Sequence, residues 1–114
     1  MSRDIETYLQ DMLDAIQSVR EYAAGMDKAA LGADRRTLDA VLRNLEVLGE
    51  AAKQIPEDVR REAPEIDWRK MAGLRDILIH GYFIVDLDIV WDVVANRLAP
   101  LREQLGQLLA RRRH

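Results

Sequence analysis

Residues 34–56, DRRTLDAVLRNLEVLGEAAKQIP, decide the fold of this chain. Apolar side chains recur there at steps of three and four residues, namely at Leu38, Val41, Leu42, Leu45, Leu48 and Ile55. This spacing is typical of a helix that presents one apolar face to a core. We expect the helix to begin near Asp34 and to end at Pro56, because proline supplies no amide hydrogen and clashes with the preceding turn.

A similar helix is predicted upstream, from about Asp4 to Ala24, ending near Gly25. Its apolar positions are Ile5, Leu9, Met12, Leu13, Ile16 and Val19. Residues 25–34 are predicted to form a loop, because they contain two glycines. Residues 56–66 begin and nearly end with proline, so we expect a connector there with a short helical turn.

Two more helices are predicted in the second half of the chain. Asp67 is a candidate N-cap for the third, which Gly81 should weaken or end. Its inward side chains are expected to be Trp68, Met71, Leu74, Ile77 and Leu78. The fourth begins at Asp86 or Asp88, and Pro100 lies inside its pattern, so we expect a kink there. That pattern consists of Ile89, Val90, Val93, Val94, Leu98, Leu101, Leu105 and Leu108.

These helices predict an all-α fold, an up-and-down four-helix bundle with a short extra helical turn. The 114 residues suffice for one domain, spanning residues 1–114. Hydrophobic residues make up 48% of the chain and aromatic residues 5%, so the core must be mostly aliphatic. The absence of cysteine excludes disulfides and thiolate metal ligands.

Charge and hydropathy limit the possible partners. Residues 1–6 are charged and no apolar stretch approaches the roughly 18 residues of a membrane span, so we expect a cytoplasmic protein without a signal peptide or membrane contact. A net charge of −3 argues against a protein that coats nucleic acid, so any such site must be local. Residues 60–75 carry five positive and three negative side chains. The basic residues 111–114 could instead be cations at a helix C-terminus or a frayed tail.

The run Arg75-Asp76-Ile77-Leu78-Ile79-His80-Gly81-Tyr82 concentrates the chemistry of the chain. Arginine can stabilise phosphate charge, histidine can transfer protons, and a tyrosine hydroxyl can be modified. In a continuous helix Asp76 and His80 share a face, whereas Arg75 and His80 do not. A two-fold dimer would bring two arginines and two histidines into one groove.

Such a groove suits RNA cleavage without a metal. The reaction needs a base for the 2′-hydroxyl proton, an acid for the 5′-oxygen and positive charge on the phosphorane. One histidine per chain supplies one proton carrier, and a dimer supplies two. We expect no metal or other cofactor, because the chain lacks cysteine and an H-x-x-x-H pair. On spacing alone, a lone histidine at a helix end more often caps or hydrogen-bonds locally than catalyses, and Tyr82 is more often a half-buried packing residue.

Glu50 is a second candidate, since it lies in the apolar string Val47-Leu48-Gly49-Glu50-Ala51-Ala52. A buried carboxylate needs a partner, and Arg75 is a reasonable one. The alternative is a solvent-facing glutamate beside Gln54 or Glu46.

The arrangement Arg75…His80-Gly81-Tyr82, followed by Phe83 and Val85-Asp86, resembles the HepT toxin family of the HEPN superfamily. Supporting strings are NLEVLGEAA at 44–52, Ile55-Pro56, Trp68 seven residues ahead of Arg75, and Ile89-Val90-Trp91. The resemblance covers roughly residues 5–110.

The resemblance implies a helical dimer with a composite Arg75/His80 site at its interface and metal-independent endoribonuclease activity on an RNA such as tRNA or mRNA. It also implies a nucleotidyltransferase antitoxin that transfers AMP to the motif tyrosine, here Tyr82. The family often has asparagine after the arginine, where this chain has Asp76. A carboxylate there should favour the imidazolium form of His80 and repel phosphate. Two alternatives stay open: a catalytically silent HEPN subunit that binds nucleotide or RNA as helper of the transferase, and a structural dimerisation module.

Overall fold

Aspartate side chains begin most of the helices. In each case the aspartate side chain accepts a hydrogen bond from the backbone N–H three residues later in the chain. These aspartates are Asp4, Asp27, Asp34, Asp67 and Asp86. Such a bond satisfies one of the N–H groups that a helix leaves unpaired at its first turn. The starts predicted at Asp34 and Asp67 are therefore confirmed, and of the two candidates for the last helix Asp86 is the cap.

The computed structural model describes residues 4–81 and 84–113. In chain order, its elements are α1 (Ile5–Tyr22), α2 (Lys28–Ala33), α3 (Arg35–Lys53), α4 (Glu57–Arg60), α5 (Trp68–Ala72), α6 (Leu74–Leu78), β1 (Ile79–His80), β2 (Ile84–Val85), α7 (Leu87–Asp92), a π-helical turn (Val93–Arg97) and α8 (Leu98–Arg112). The mostly helical architecture is thus confirmed, as are the helical turn after Pro56 and the end of the first helix before Gly25. Among these described residues, no helix is both long and apolar enough to cross a membrane.

The core lies between the three long helices. α1 packs along α3 and against α8, and α5 and α6 pack on α3. The fully buried side chains are aliphatic, as the composition predicts, and include Leu9, Met12, Ile16, Leu45, Leu48, Leu98, Leu105 and Leu108. Gly49 allows α5 to approach α3 closely, because a Cβ there would lie 3.0 Å from the backbone oxygen of Met71. The segment that carries the Arg75 motif therefore rests directly on α3.

Residues 25–34 do not form the predicted loop. Asp27 caps a short helix, α2, whose Leu31 side chain is fully buried. Gly32 does not break this helix; a Cβ at that position would lie 2.6 Å from Cδ2 of Leu87. α2 thus packs against the start of α7, and Lys28 of α2 pairs with Asp88 of α7.

The third predicted helix is divided and ends earlier than a continuous helix would. The helix is interrupted at Gly73 and ends at Leu78. β1 and β2 then pair as a two-residue antiparallel ladder. Ile79 lies opposite Val85, and His80 lies opposite Ile84. Gly81 has a φ of 70°, a left-handed conformation that glycine adopts without steric cost. His80 is therefore a strand residue, and a purely helical fold is wrong for this segment.

The fourth predicted helix is also divided, into α7, the π-helical turn and α8. The irregular turn ends three residues before Pro100. Proline at position 100 can offer no N–H to the carbonyl of residue 96, and a π-turn is one way to accommodate the missing bond. The predicted kink thus corresponds to a π-helical turn just upstream of the proline.

Candidate active site

Arg75 lies on α6, one residue after the Leu74 side chain that enters the core. Its side chain is 60% exposed, and its Nε atom lies 3.9 Å from Oε1 of Glu46. Glu46 belongs to α3, and its other carboxylate oxygen lies 3.7 Å from a guanidinium nitrogen of Arg43. Arg75 therefore keeps its guanidinium at the surface, next to a carboxylate that it shares with Arg43.

His80 lies on β1, five residues further along the chain. Its side chain is 58% exposed, and its Nε2 atom lies 3.7 Å from Oδ2 of Asp86. That distance is longer than a hydrogen bond but within the range of an ion pair with a protonated imidazole. Across the hairpin stands Ile84, a large apolar side chain that is 59% exposed. The histidine is thus exposed, and its neighbours among the described residues include the carboxylate of Asp86 and the apolar side chain of Ile84.

The carboxylates beside the motif are not the two predicted from the sequence. Because α6 ends at Leu78, Asp76 and His80 do not share a helical face, and Asp86 is the carboxylate near the imidazole. Glu50 is exposed, and its carboxylate contacts Nζ of Lys53 at 3.0 Å. The pairing of Glu50 with Arg75 is therefore wrong, and the solvent-facing alternative is the one observed, although with Lys53 as the neighbour.

The sequence gives little indication that Glu46 lies beside Arg75 and that Asp86 lies beside His80. Glu46 precedes Glu50 by four residues and so lies on the same face of α3, one turn closer to the helix start. Asp86 was recognisable only as a helix cap. Tyr82, the predicted AMP acceptor, and Phe83 lie outside the described residues.

Several other basic side chains have structural contacts. Arg60 donates from Nε to the carbonyl of Ile55 at 2.9 Å and from Nη2 to that of Ala52 at 3.0 Å. Arg112 pairs with the Glu62 carboxylate at 3.0 Å, and Arg111 donates to the Glu62 carbonyl. The basic segments 60–75 and 111–114 therefore meet through Glu62, and part of their charge fastens the end of α8 to the connector after α4.

The surroundings of the motif are open. A cleft of about 290 Å³ lies between α5 and α8, with Met71, Leu74, Val93 and Leu98 among its lining residues, and neither Arg75 nor His80 lines it. Within residues 4–81 and 84–113, no group of three or more histidine and carboxylate side chains is arranged to hold a metal ion. Exposed side chains such as those of Arg75 and His80 can meet a polymer or a second protein surface without a closed pocket.

Comparison with known proteins identifies the family. The model of the ribonuclease HepT-like family matches residues 12–108. A protein of Thermococcus cleftensis named "probable ribonuclease HepT" is 40% identical over 95% of this chain and 98% of its own length. Proteins named "putative RNase" from Methanocaldococcus jannaschii and Caldanaerobacter subterraneus are 38% and 31% identical, over 94% and 90% of this chain and 88% and 91% of their own lengths. No solved structure gives a significant match. The chain belongs to the ribonuclease HepT-like family of the HEPN superfamily.

Proposed function

We propose that this protein is a metal-independent endoribonuclease, the cytoplasmic toxin of a toxin–antitoxin system, with Arg75 and His80 as its catalytic residues. The observation that carries the proposal is the exposure of both side chains on consecutive elements, α6 and β1, in a chain of this family. Neither side chain is buried in the core. Both are free to meet a phosphodiester from solvent.

The reaction is an attack of the 2′-hydroxyl on the adjacent phosphorus. A neutral His80 takes the 2′-hydroxyl proton as the O2′–P bond forms, and a protonated His80 gives a proton to the 5′-oxygen as the P–O5′ bond breaks. The products are a 2′,3′-cyclic phosphate and a 5′-hydroxyl. Arg75 stabilises the charge that develops on the phosphorane oxygens.

One active site needs two proton carriers, and the motif supplies one per chain. We infer a two-fold dimer in which the hairpins of two protomers face each other, so that one His80 acts as base and the other as acid. The exposed Ile84 beside His80 supports this arrangement, because an apolar side chain at that position would be covered in the dimer.

The antitoxin is a nucleotidyltransferase that adds AMP to Tyr82. That residue follows Gly81 and is two residues from His80 in the sequence. A bulky anionic adduct there would occupy the groove and compete with RNA for the charge of Arg75. The test is to incubate the protein with its cognate transferase and ATP and to measure the intact mass. A mass increase of one AMP that is lost in Tyr82→Phe, but kept in Tyr22→Phe, supports the assignment.

The RNase activity is tested on unmodified protein with tRNA and total RNA in excess EDTA. Cleavage should disappear in His80→Ala and fall by about 100-fold or more in Arg75→Ala. The matched controls are His114→Ala, which changes the other histidine of the sequence, and Arg61→Ala, which changes an exposed arginine outside the motif. Both controls should cleave like the wild type.

Two results would overturn the proposal. Equal cleavage by wild type and His80→Ala would place the chemistry on other residues or on a contaminant. Absence of cleavage in all variants, with retained RNA or nucleotide binding, would favour the catalytically silent HEPN subunit. The carboxylates of Glu46 and Asp86 beside Arg75 and His80 are the observation that favours this alternative, because a carboxylate repels a phosphate.

A further inference from the structure

We propose that Asp86 is a positioning residue that holds the imidazole of His80 by its Nε2 side and leaves Nδ1 to face the substrate. This inference rests on the proposed function for its catalytic meaning. The contacts of Asp86 that support it lie within one chain and do not depend on whether the protein cleaves RNA.

Besides the helical hydrogen bond that its carbonyl accepts from Val90, Asp86 makes three contacts, each with a different element. Its backbone N–H donates to the carbonyl of Leu78 at 2.8 Å, which closes the base of the hairpin. Its Oδ1 accepts from the N–H of Ile89 at 3.2 Å, which caps α7. Its Oδ2 lies 3.7 Å from Nε2 of His80. One residue thus connects the end of α6, the start of α7 and the imidazole.

The cap explains why the carboxylate is a suitable support. Because Oδ1 is engaged by the first turn of α7, the carboxylate cannot rotate freely, and Oδ2 is directed toward the hairpin. α7 is itself held, since Lys28 of α2 pairs with Asp88 and Leu87 packs against Gly32. Asp86 is also only partly exposed, with 31% of its side chain accessible, whereas the imidazole is 58% exposed. The less exposed group, which is fixed by the helix cap, therefore supports the more exposed one.

The contact matters most when His80 gains a proton. The imidazolium that forms as the 2′-hydroxyl loses its proton is attracted by the carboxylate, so the 3.7 Å contact should shorten at that point. A proton held on Nε2 toward Asp86 leaves the Nδ1 lone pair free for the substrate hydroxyl. The carboxylate thereby selects the reacting nitrogen and restricts the orientation of the ring.

Asp86→Ser separates positioning from capping. Serine is as good an N-cap as aspartate, but its side chain is shorter and uncharged, so it does not reach the imidazole. In the RNA cleavage assay we expect kcat to fall by about 10- to 100-fold, with KM within about twofold of the wild type. Asp27→Ser is the matched control, because Asp27 caps α2 through the same kind of bond to Ala30 and does not contact the motif. It should leave both constants unchanged.

An NMR measurement on the free protein decides the structural part without any cleavage. The Hα–Hβ couplings of His80, assigned by comparison with His80→Gln, should indicate one χ1 rotamer in the wild type and in Asp27→Ser, and an average over rotamers in Asp86→Ser. The cross-strand contact between Ile79 and Val85 should persist in all three proteins. If the couplings show one χ1 rotamer that is lost only in Asp86→Ser, but the wild type cleaves no RNA, then Asp86 positions His80 and the proposed function is wrong.

Two outcomes would overturn the inference. One is an Asp86→Ser protein whose kcat and couplings equal those of the wild type, while His80→Ala is inactive. The other is an Asp86→Ser protein that loses the contact between Ile79 and Val85 together with its activity, since the role would then be to hold the hairpin rather than the imidazole.

Discussion

The carboxylate of Glu46 lies 3.9 Å from Nε of Arg75 and approaches it from a different helix, α3. The same carboxylate lies 3.7 Å from Arg43, so it balances part of two positive charges. Both members of the Glu46–Arg75 pair have accessible side chains, and an exposed pair of this kind contributes about 0–1 kcal/mol. RNA can therefore displace this interaction at small cost.

The first prediction is that Glu46→Gln tightens RNA binding. Removal of the carboxylate leaves the Arg75 charge fully available to phosphate, so KM should fall by up to about fivefold at low salt and by less at high salt. kcat should stay within about twofold, because the amide keeps the shape of the side chain. The measurement is KM for an RNA substrate at two salt concentrations.

Glu50→Gln is the matched control for this substitution. Glu50 lies one turn further along α3, has the same charge and contacts Lys53 instead of Arg75. Its KM should equal that of the wild type. A Glu46→Gln protein with a tenfold lower kcat would contradict the prediction and would show that Glu46 orients Arg75 rather than only competing for it.

A second prediction concerns Arg60, whose guanidinium joins the connector to the end of α3. Its two hydrogen bonds satisfy the carbonyls of Ala52 and Ile55, and its guanidinium lies 6.0 Å from the ring centre of Trp68. Arg60→Ala should lower the free energy of unfolding by about 1–2 kcal/mol, because it removes the donor to the Ile55 carbonyl, whereas the Ala52 carbonyl keeps its bond from the N–H of Ile55. Urea denaturation measures the change.

Arg61→Ala controls for the loss of one positive charge from the same connector. Arg61 is exposed, so the free energy of unfolding should change by less than about 0.5 kcal/mol. Equal stability of the two variants would mean that water satisfies the Ile55 carbonyl once Arg60 is removed.

The helix starts could be predicted because their determinants are local. An aspartate just before an apolar helical pattern is a local cap signal, which predicts Asp67 as an N-cap and leaves Asp86 and Asp88 as two candidates for the next helix. α2 was missed because Gly32 was interpreted as a helix breaker. Its position is explained by packing on Leu87, which lies 55 residues away in the chain and cannot be inferred from local pattern.

The geometry around the candidate site residues could not be predicted from the sequence. The helical spacing is correct as far as Leu78, but the conformation of His80 depends on the left-handed Gly81 and on pairing with β2. The β-branched residues Ile79, Ile84 and Val85 were the available signal for strands. The charge partners of Arg75 and His80 depend on how α3 and α7 pack around the motif, which no spacing rule gives.

A third prediction is a pH dependence of stability from Asp34. Hydrogen bonds from the backbone N–H and the hydroxyl of Thr37 lower the pKa of Asp34 below 3.8. A lowered pKa in the folded state means that the ionised carboxylate stabilises the fold above about pH 3.8, and that this contribution is lost as the pH falls through the lower, folded-state pKa.

Asp34→Asn tests this dependence without removing the cap, because asparagine is an equally good N-cap. The variant should be less stable than the wild type at pH 7, and the difference should shrink as the pH falls below 3.8. Thr37→Ala, which removes the hydroxyl donor, should reproduce part of the effect. A difference between wild type and Asp34→Asn that is constant from pH 7 to pH 3 would exclude the carboxylate as the source.

The last prediction uses two glycines to separate stability from activity. Gly81 and Gly25 have φ values of 70° and 76°, and, chain neighbours aside, a Cβ at either position would meet no atom of the described residues within 4 Å. Alanine at either position should therefore lower the free energy of unfolding by about 1 kcal/mol through backbone strain alone. Gly81, unlike Gly25, lies between His80 and β2. Gly81→Ala should therefore also lower kcat for RNA cleavage, whereas Gly25→Ala should leave kcat unchanged. An equal loss of kcat in both variants would show that activity follows global stability. An unchanged kcat in Gly81→Ala would show that His80 acts independently of the hairpin geometry.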